Sequence, residues 1–360
     1  MVTTLHQPVF ELTRGKIVES MHFGSIAVVD VHGQLLAGIG DPEFVTYLRS
    51  SSKPIQALPF LEAGGKEFFG LTLQEIAIIC ASHSGTDEHI EVVKSLQAKL
   101  KVLEAELLCG THRPFFLPAA DRLKELGLLP TPNHHNCSGK HSGMLGYHRL
   151  LSIQSTSQEN ISKPYIDLDH PVQEHILSMI AQMSGLDISQ VNLGIDGCSA
   201  PNFALPLSRA AFAIARLCDP INGGVNGPSL ISACNTVVSA MSSHPFLVAG
   251  PGRLDTQLMQ VGAGRIISKS GAEGYQAIGL LPDAIEPGSP AMGIAIKIAD
   301  GDHRGTVKSA IALEVLSQMN ALTAVELALL RDFGPVNAIR NWQNIEVGMS
   351  QPTFRMFETQ

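Results

Sequence analysis

The chain has 360 residues, 44% of them hydrophobic and 16% charged, enough to bury a large core as one compact unit or two close lobes. Its 33 acidic residues outnumber 25 Lys and Arg, for a net charge of -8, the wrong sign for a surface that coats phosphates, so nucleic acid is excluded as a partner class. No apolar run approaches the roughly 20 residues of a bilayer span, Met1 to Gly15 carries no secretory leader, and 6 irregularly spaced Cys suit a reducing compartment. A cytoplasmic enzyme with no membrane partner is expected.

In chain order, Gly24 to Val31 and Gln34 to Ile39 are β-branched apolar runs around His32-Gly33 and predict a β-hairpin. From Ser50 the pattern turns helical, with stripes at Ile55, Leu58 and Leu61 and at Ile90, Val93, Leu96 and Leu100. Asp169 and Pro171 open a helix that Gly185 closes, and Ala204 to Cys218 and Ser229 to Met241 predict two more. Strand-like runs return at Arg265 to Lys269, Tyr275 to Leu280 and Met292 to Ile298, before a helix over Thr306 to Met319. The predicted class is α+β: an antiparallel sheet assembled from both chain ends (1–49 plus 246–360) with an inserted, mostly helical lobe (50–245), the two forming one catalytic unit over 1–360. A site between the lobes is expected.

Three motifs carry chemistry. Ser50-Ser51-Ser52-Lys53 is an S-x-x-K at a helix start, where a three-residue step puts the hydroxyl and the amine on one face. Ser82-His83-Ser84 follows an apolar run, in the place of an S-x-N, and Lys269-Ser270-Gly271 ends a late strand, in the place of a K-[ST]-G. Their order parallels the serine β-lactamase and penicillin-binding pattern. A Ser hydroxyl needs a base to take its proton, and a Lys serves only when neutral, a state favoured by burial and by a second cation such as Lys269 across from Lys53. Taken singly, the serine run also reads as a polar helix cap, and Lys269 as an exposed edge lysine. A further pair, Cys137 and Cys198, lies in Gly-containing loops and reads either as a zinc pair, with His134, His135 or His141 as third ligand, or as two small buried thiols.

Arg49 to Gln56, Cys80 to Gly85, Asn136 to His141, Asp196-Gly197-Cys198 and Lys269 to Gly274 together resemble the asparaginase II family, the inducible rhizobial type of L-asparaginase, from about Val18 to Ala321. The resemblance implies a serine β-lactamase/glutaminase-like fold, a homodimer, and hydrolysis of L-asparagine to L-aspartate and ammonia. It implies two catalytic Ser-Lys pairs, Ser50 with Lys53 and Ser82 with Lys269, Ser50 being the nucleophile. It also implies a Zn²⁺ site of Cys137, Lys140 and Cys198, replacing His by Lys as the third ligand. Arg49, Asp196 and Lys140 are expected to bind substrate. The Ser51-Ser52 pair inside the motif leaves open which hydroxyl attacks. Rival readings are a zinc-dependent amidohydrolase, a glutaminase or β-lactam-binding serine enzyme on the same scaffold, and a non-catalytic amino-acid sensor. Residues 322 to 360, with the sole Trp at 342, carry no reading.

Overall fold

The structure is a computed structural model that describes residues 5–154 and 162–356. Strands β1 (Gln7–Arg14), β2 (Ile17–Asp30) and β3 (Leu35–Ile39) open the chain, and β4 (Val45–Tyr47) leads to the first helical turns. The central part holds α1 (Lys53–Gln56), α2 (Leu58–Glu62), α3 (Gly65–Phe69), α4 (Leu73–Ile79), α5 (Asp87–Leu100), α6 (Leu117–Glu125), α7 (Ser138–Gln154) and α8 (Pro171–Ser184). Then come β5 (Asn192–Ile195), β6 (Pro201–Pro206), α9 (Leu207–Cys218), α10 (Pro228–Ser243), α11 (Pro245–Val248) and α12 (Leu254–Gly262). The chain returns to the sheet with β7 (Ile266–Ser270), β8 (Tyr275–Leu280) and β9 (Met292–Ile298), followed by α13 (Val307–Gln318), α14 (Ala324–Leu329), β10 (Asn337–Arg340) and β11 (Glu346–Pro352).

The main antiparallel sheet has the order β10-β11-β1-β2-β9-β8-β7, with β3 also paired to β2. Both chain ends build it, as expected of the α+β class. Its central strands are buried on both faces, which is why they read as unbroken apolar runs. Along β2, Ala27 and Val29 join one core cluster while Ile26 and Val28 join the other, the alternation of a strand between two layers. In β9 the large Ile294, Ile296 and Ile298 face α13, and Ala295 faces α9. Small residues on that side let α9 settle close: Gly279 and Gly293 are register partners, and a Cβ at Gly293 would stand 1.8 Å from the Ala211 carbonyl oxygen.

The mostly helical insertion also carries strands and packs on the sheet. Helix α9 covers the sheet face, and β4, β5 and β6 form a second, three-stranded sheet. That small sheet matters for the site, since β4 delivers Arg49 and Ser50, and the β5–β6 turn delivers Asp196 and Cys198. The predicted hairpin is present as β2 and β3, but β2 begins earlier, at Ile17, and pairs with the unpredicted β1. Among the described residues no helix is long and apolar enough to cross a membrane.

Candidate active site

After β4 the chain enters a 3₁₀ turn over Arg49–Ser52 that runs directly into α1. Arg49 sits at φ 52°, the left-handed region that a branched or long side chain seldom occupies. Three contacts hold it there: its N–H donates to Asn202 Oδ1 at 3.1 Å, and its guanidinium donates to Asp196 Oδ1 from Nε at 2.9 Å and from Nη2 at 2.8 Å. Burial alone would raise the Asp196 carboxyl, but Lys140 and Arg49 outweigh it and hold the group below the ordinary carboxylate range.

The turn separates the three serines. Ser51 Oγ donates to the Leu48 carbonyl at 2.7 Å, and Ser52 Oγ donates to the Arg49 carbonyl at 2.8 Å while accepting from Gln56 Nε2 at 2.7 Å. Both are buried and committed to the turn. Ser50 is partly exposed, and among the described residues its hydroxyl has no protein partner, nor does its N–H have a backbone acceptor.

One turn later Lys53, 1% exposed, points inward. Its Nζ donates to the Ala81 carbonyl at 2.6 Å and to Ser82 Oγ at 2.9 Å. From the opposite side Lys269, on β7, donates to the same Ser82 Oγ at 2.8 Å and to the Ser270 carbonyl at 3.0 Å. The Ser82–Lys269 pair is therefore direct. Lys53, one turn after Ser50, also hydrogen-bonds Ser82, so one hydroxyl bridges two buried amines. Nor is Lys269 the exposed edge lysine that it resembles in isolation, for it is 2% exposed. Burial, and then the nearby Lys53, push the Lys269 amine down to about 7, even though Asp255 pulls the other way.

Asp255, on α12, is a residue the motifs did not announce. It accepts from Ser268 Oγ at 2.8 Å, Ser270 N–H at 2.8 Å and Gln276 Nε2 at 2.9 Å. Burial opposes its charge, yet Lys269, Arg253 and these hydrogen bonds hold it at about 2. It fixes the strand that presents Lys269. His83 plays a similar part for Ser82: its Nδ1 accepts the Gly85 N–H at 3.2 Å, so Nε2–H donates to Ser138 Oγ at 2.8 Å, which donates in turn to the Asn133 carbonyl at 3.0 Å. That chain ties the Ser82 segment to the start of α7. Ser84, by contrast, turns away to the Ala249 carbonyl at 2.7 Å.

At the start of α7, Cys137 and Lys140 meet Cys198 from the β5–β6 turn. Lys140 Nζ lies 3.0 Å from Cys198 Sγ, and all three side chains are buried. The hydrogen bond with Cys198 does most to hold the Cys137 thiol well below its ordinary value, outweighing burial, with Lys53 and Lys140 adding to it. For Lys140, burial works against the charge but the two sulfurs raise its affinity for a proton. Among the described residues no three His, Cys, Asp or Glu side chains converge as a metal centre. The third group beside the two sulfurs is the Lys140 amine. His141 adds a buried ring whose Nε2 has no hydrogen-bond partner, while its Nδ1 meets Tyr165 Oη at 2.7 Å. Two sulfurs, an amine and an orphaned ring nitrogen are a donor set that fits Zn²⁺. His134 and His135 are not part of it: His134 caps its own turn at Thr131, and His135 accepts the Cys137 N–H at 3.0 Å.

The family model described as L-asparaginase II matches residues 10–352. The chain belongs to the L-asparaginase II family. This member of the family is accordingly a hydrolase of amides, and its architecture is the expected α+β one, with an antiparallel sheet built from both chain ends. Solved structures similar to it include the Bacillus subtilis glutaminase YbgJ in covalent complex with 5-oxo-L-norleucine, at 12% identity over 84% of this chain and 89% of that one, with a TM-score of 0.36. A probable glutaminase of Bacillus subtilis matches at 14% identity over 78% and 83% of the two chains, with a TM-score of 0.34. No curated protein matches the chain significantly.

Proposed function

We propose that the protein is an L-asparaginase that hydrolyses the side-chain amide of L-asparagine to L-aspartate and ammonia through an acyl-enzyme on Ser50. The observation that carries this reading is the uncommitted Ser50 hydroxyl, one turn from a buried Lys53–Ser82–Lys269 chain with contacts of 2.9 and 2.8 Å. Two amines flank one hydroxyl in a site too dry to hold two ammonium charges cheaply. One of them is therefore available as a base near neutral pH. Ser50 Oγ attacks the amide carbon as Lys53 takes its proton and passes one of its own through Ser82 to the neutral Lys269. The oxyanion then meets the free Ser50 N–H, a backbone donor of the kind worth about 3 kcal/mol. Lys269, through Ser82, supplies the proton that turns the leaving nitrogen into ammonia. Water attacks the ester and the same chain runs in reverse.

Arg49, held by Asp196, offers positive charge for the substrate α-carboxylate. Its side chain lies in a cleft of about 350 Å³ shared with Asn202, Glu273 and Lys297. Cys137, Cys198 and Lys140 would hold Zn²⁺, which when bound supplies a fixed positive charge to orient polar groups of the substrate. The test is ammonia release from L-asparagine and L-glutamine by purified protein beside Ser50→Ala. Release from asparagine that disappears in the variant is expected. An active S50A protein would refute the assignment of the nucleophile, and faster release from glutamine would refute the substrate.

A further inference from the structure

Behind the catalytic Lys53 lies a small chamber with no part in the hydrolysis itself. Lys53 and Lys140 form one side of it, and Gln56, Phe60, Tyr147 and Ile176 are among the residues that close it. About 10 Å³ is open to the centre of a water-sized molecule, enough for one such guest. The remaining walls are mostly apolar, and Gln56, 8% exposed, leaves its Oε1 buried without a partner. Its Nε2 is already committed to Ser52 Oγ at 2.7 Å. A buried carbonyl of this kind is costly unless a donor meets it. Tyr147 is also a wall of a second, outer cavity of about 330 Å³ lined by Glu62, His175, Met179 and Gln182. Its hydroxyl is held by His175 Nδ1 at 2.6 Å. One aromatic side chain is thus a wall common to the chamber behind Lys53 and to the outer recess.

We infer that this chamber receives the ammonia leaving group and that Tyr147 gates its exit to the outer recess. The inference rests on the serine amidohydrolase reading. Ammonia is the size of water, is neutral as it leaves, and donates N–H bonds, which Gln56 Oε1 lacks. A small, mostly apolar chamber admits such a molecule and refuses the aspartate anion, whose burial without a partner is prohibitive. Removing ammonia to the rear leaves the acyl-enzyme facing water from the front, which suppresses re-formation of the amide.

Microscopic reversibility makes the route testable. The acyl-enzyme is loaded from L-aspartate β-methyl ester, whose methanol leaving group is larger than the chamber guest, in the presence of ammonium chloride at mildly alkaline pH. Ammonia entering from the rear forms the C–N bond as the C–Oγ ester bond of Ser50 breaks, and one ammonia proton passes to Oγ. The product is asparagine in place of aspartate. The ratio of asparagine to aspartate, each normalised to methanol released, is read for the unmodified protein, for Ile176→Phe, which fills the chamber, and for Gln56→Leu, which removes the acceptor. A fall of about tenfold in I176F and about threefold in Q56L is expected. An unchanged ratio in whichever variants release methanol would overturn the route, as would methanol release by the unmodified protein with no asparagine formed. A chamber that holds only water gives the unchanged ratio. No methanol from the unmodified protein would instead refute the serine hydrolase reading, and the chamber's role with it.

Discussion

Replacing Lys269 by Met should make the protein more stable and leave it inactive. The Lys269 amine sits at about 7 in the fold, against 10.5 ordinarily. That difference, at about 1.4 kcal/mol per pKa unit, is a destabilisation of about 5 kcal/mol. The sign follows from proton counts. Between pH 7 and 10.5 the unfolded chain holds this proton and the native protein does not, so stability rises with pH across that window. The cost is complete below pH 7 and vanishes above 10.5. Met keeps the stem and removes the charge. It also removes the attraction to Asp255 and one hydrogen bond to Ser82, so a net gain of about 2 kcal/mol at pH 7 is expected. Urea unfolding followed by circular dichroism is the appropriate assay, since the sole Trp, Trp342, is fully exposed and its fluorescence would report little. The unmodified protein should gain up to about 1.4 kcal/mol per pH unit relative to K269M in the window. Parallel pH profiles, with K269M less stable at pH 7, would refute the account of a neutral, destabilised amine.

Turnover should rise with pH through an acid limb near 7, where the Lys269 amine gives up its proton; a kcat/KM profile that is flat from pH 5.5 to 8.5 would contradict this. Ser82→Ala removes the hydroxyl between the two lysines and should lower kcat by about 10² to 10⁴ with little change in KM, measured by steady-state ammonia release. Cys198→Ser should lower zinc content at least tenfold by elemental analysis, while Cys234→Ser, in the apolar core, leaves it unchanged. Arg49→Ala should raise KM about tenfold more than it lowers kcat, since it removes the cation that Asp196 positions.

The elements legible in the sequence are those whose pattern is long relative to their neighbours: β2 with β3, β7 to β9, and the helices with clear stripes. Strands β4 and β5 have 3 and 4 residues, too few for a period to show, yet together with β6 they place Arg49, Asp196 and Cys198. Strands β1, β10 and β11 are mostly half-buried or exposed, so no apolar alternation marks them. At the site, the S-x-x-K spacing pointed to Ser50 and Lys53 but not to the Lys53–Ser82 contact, which joins residues 29 apart in the chain. Asp255 and His83 act through partners 13 to 55 residues away, and no local motif reveals such residues. Nothing in the sequence separates Ser50 from Ser51 and Ser52; the difference lies in the turn, which the hydroxyls of the latter two close.

Because β9 pairs with β2 on one side and β8 on the other, the middle of the main sheet closes across more than 260 residues of chain. During synthesis Lys53 and Ser82 emerge long before Lys269, and β2 must wait with one edge unpaired until β9 arrives. Pairing of such high contact order is slow, and an apolar strand with an open edge invites wrong partners. The nascent chain therefore passes most of its synthesis with a half-built sheet and without the Lys269 end of the relay.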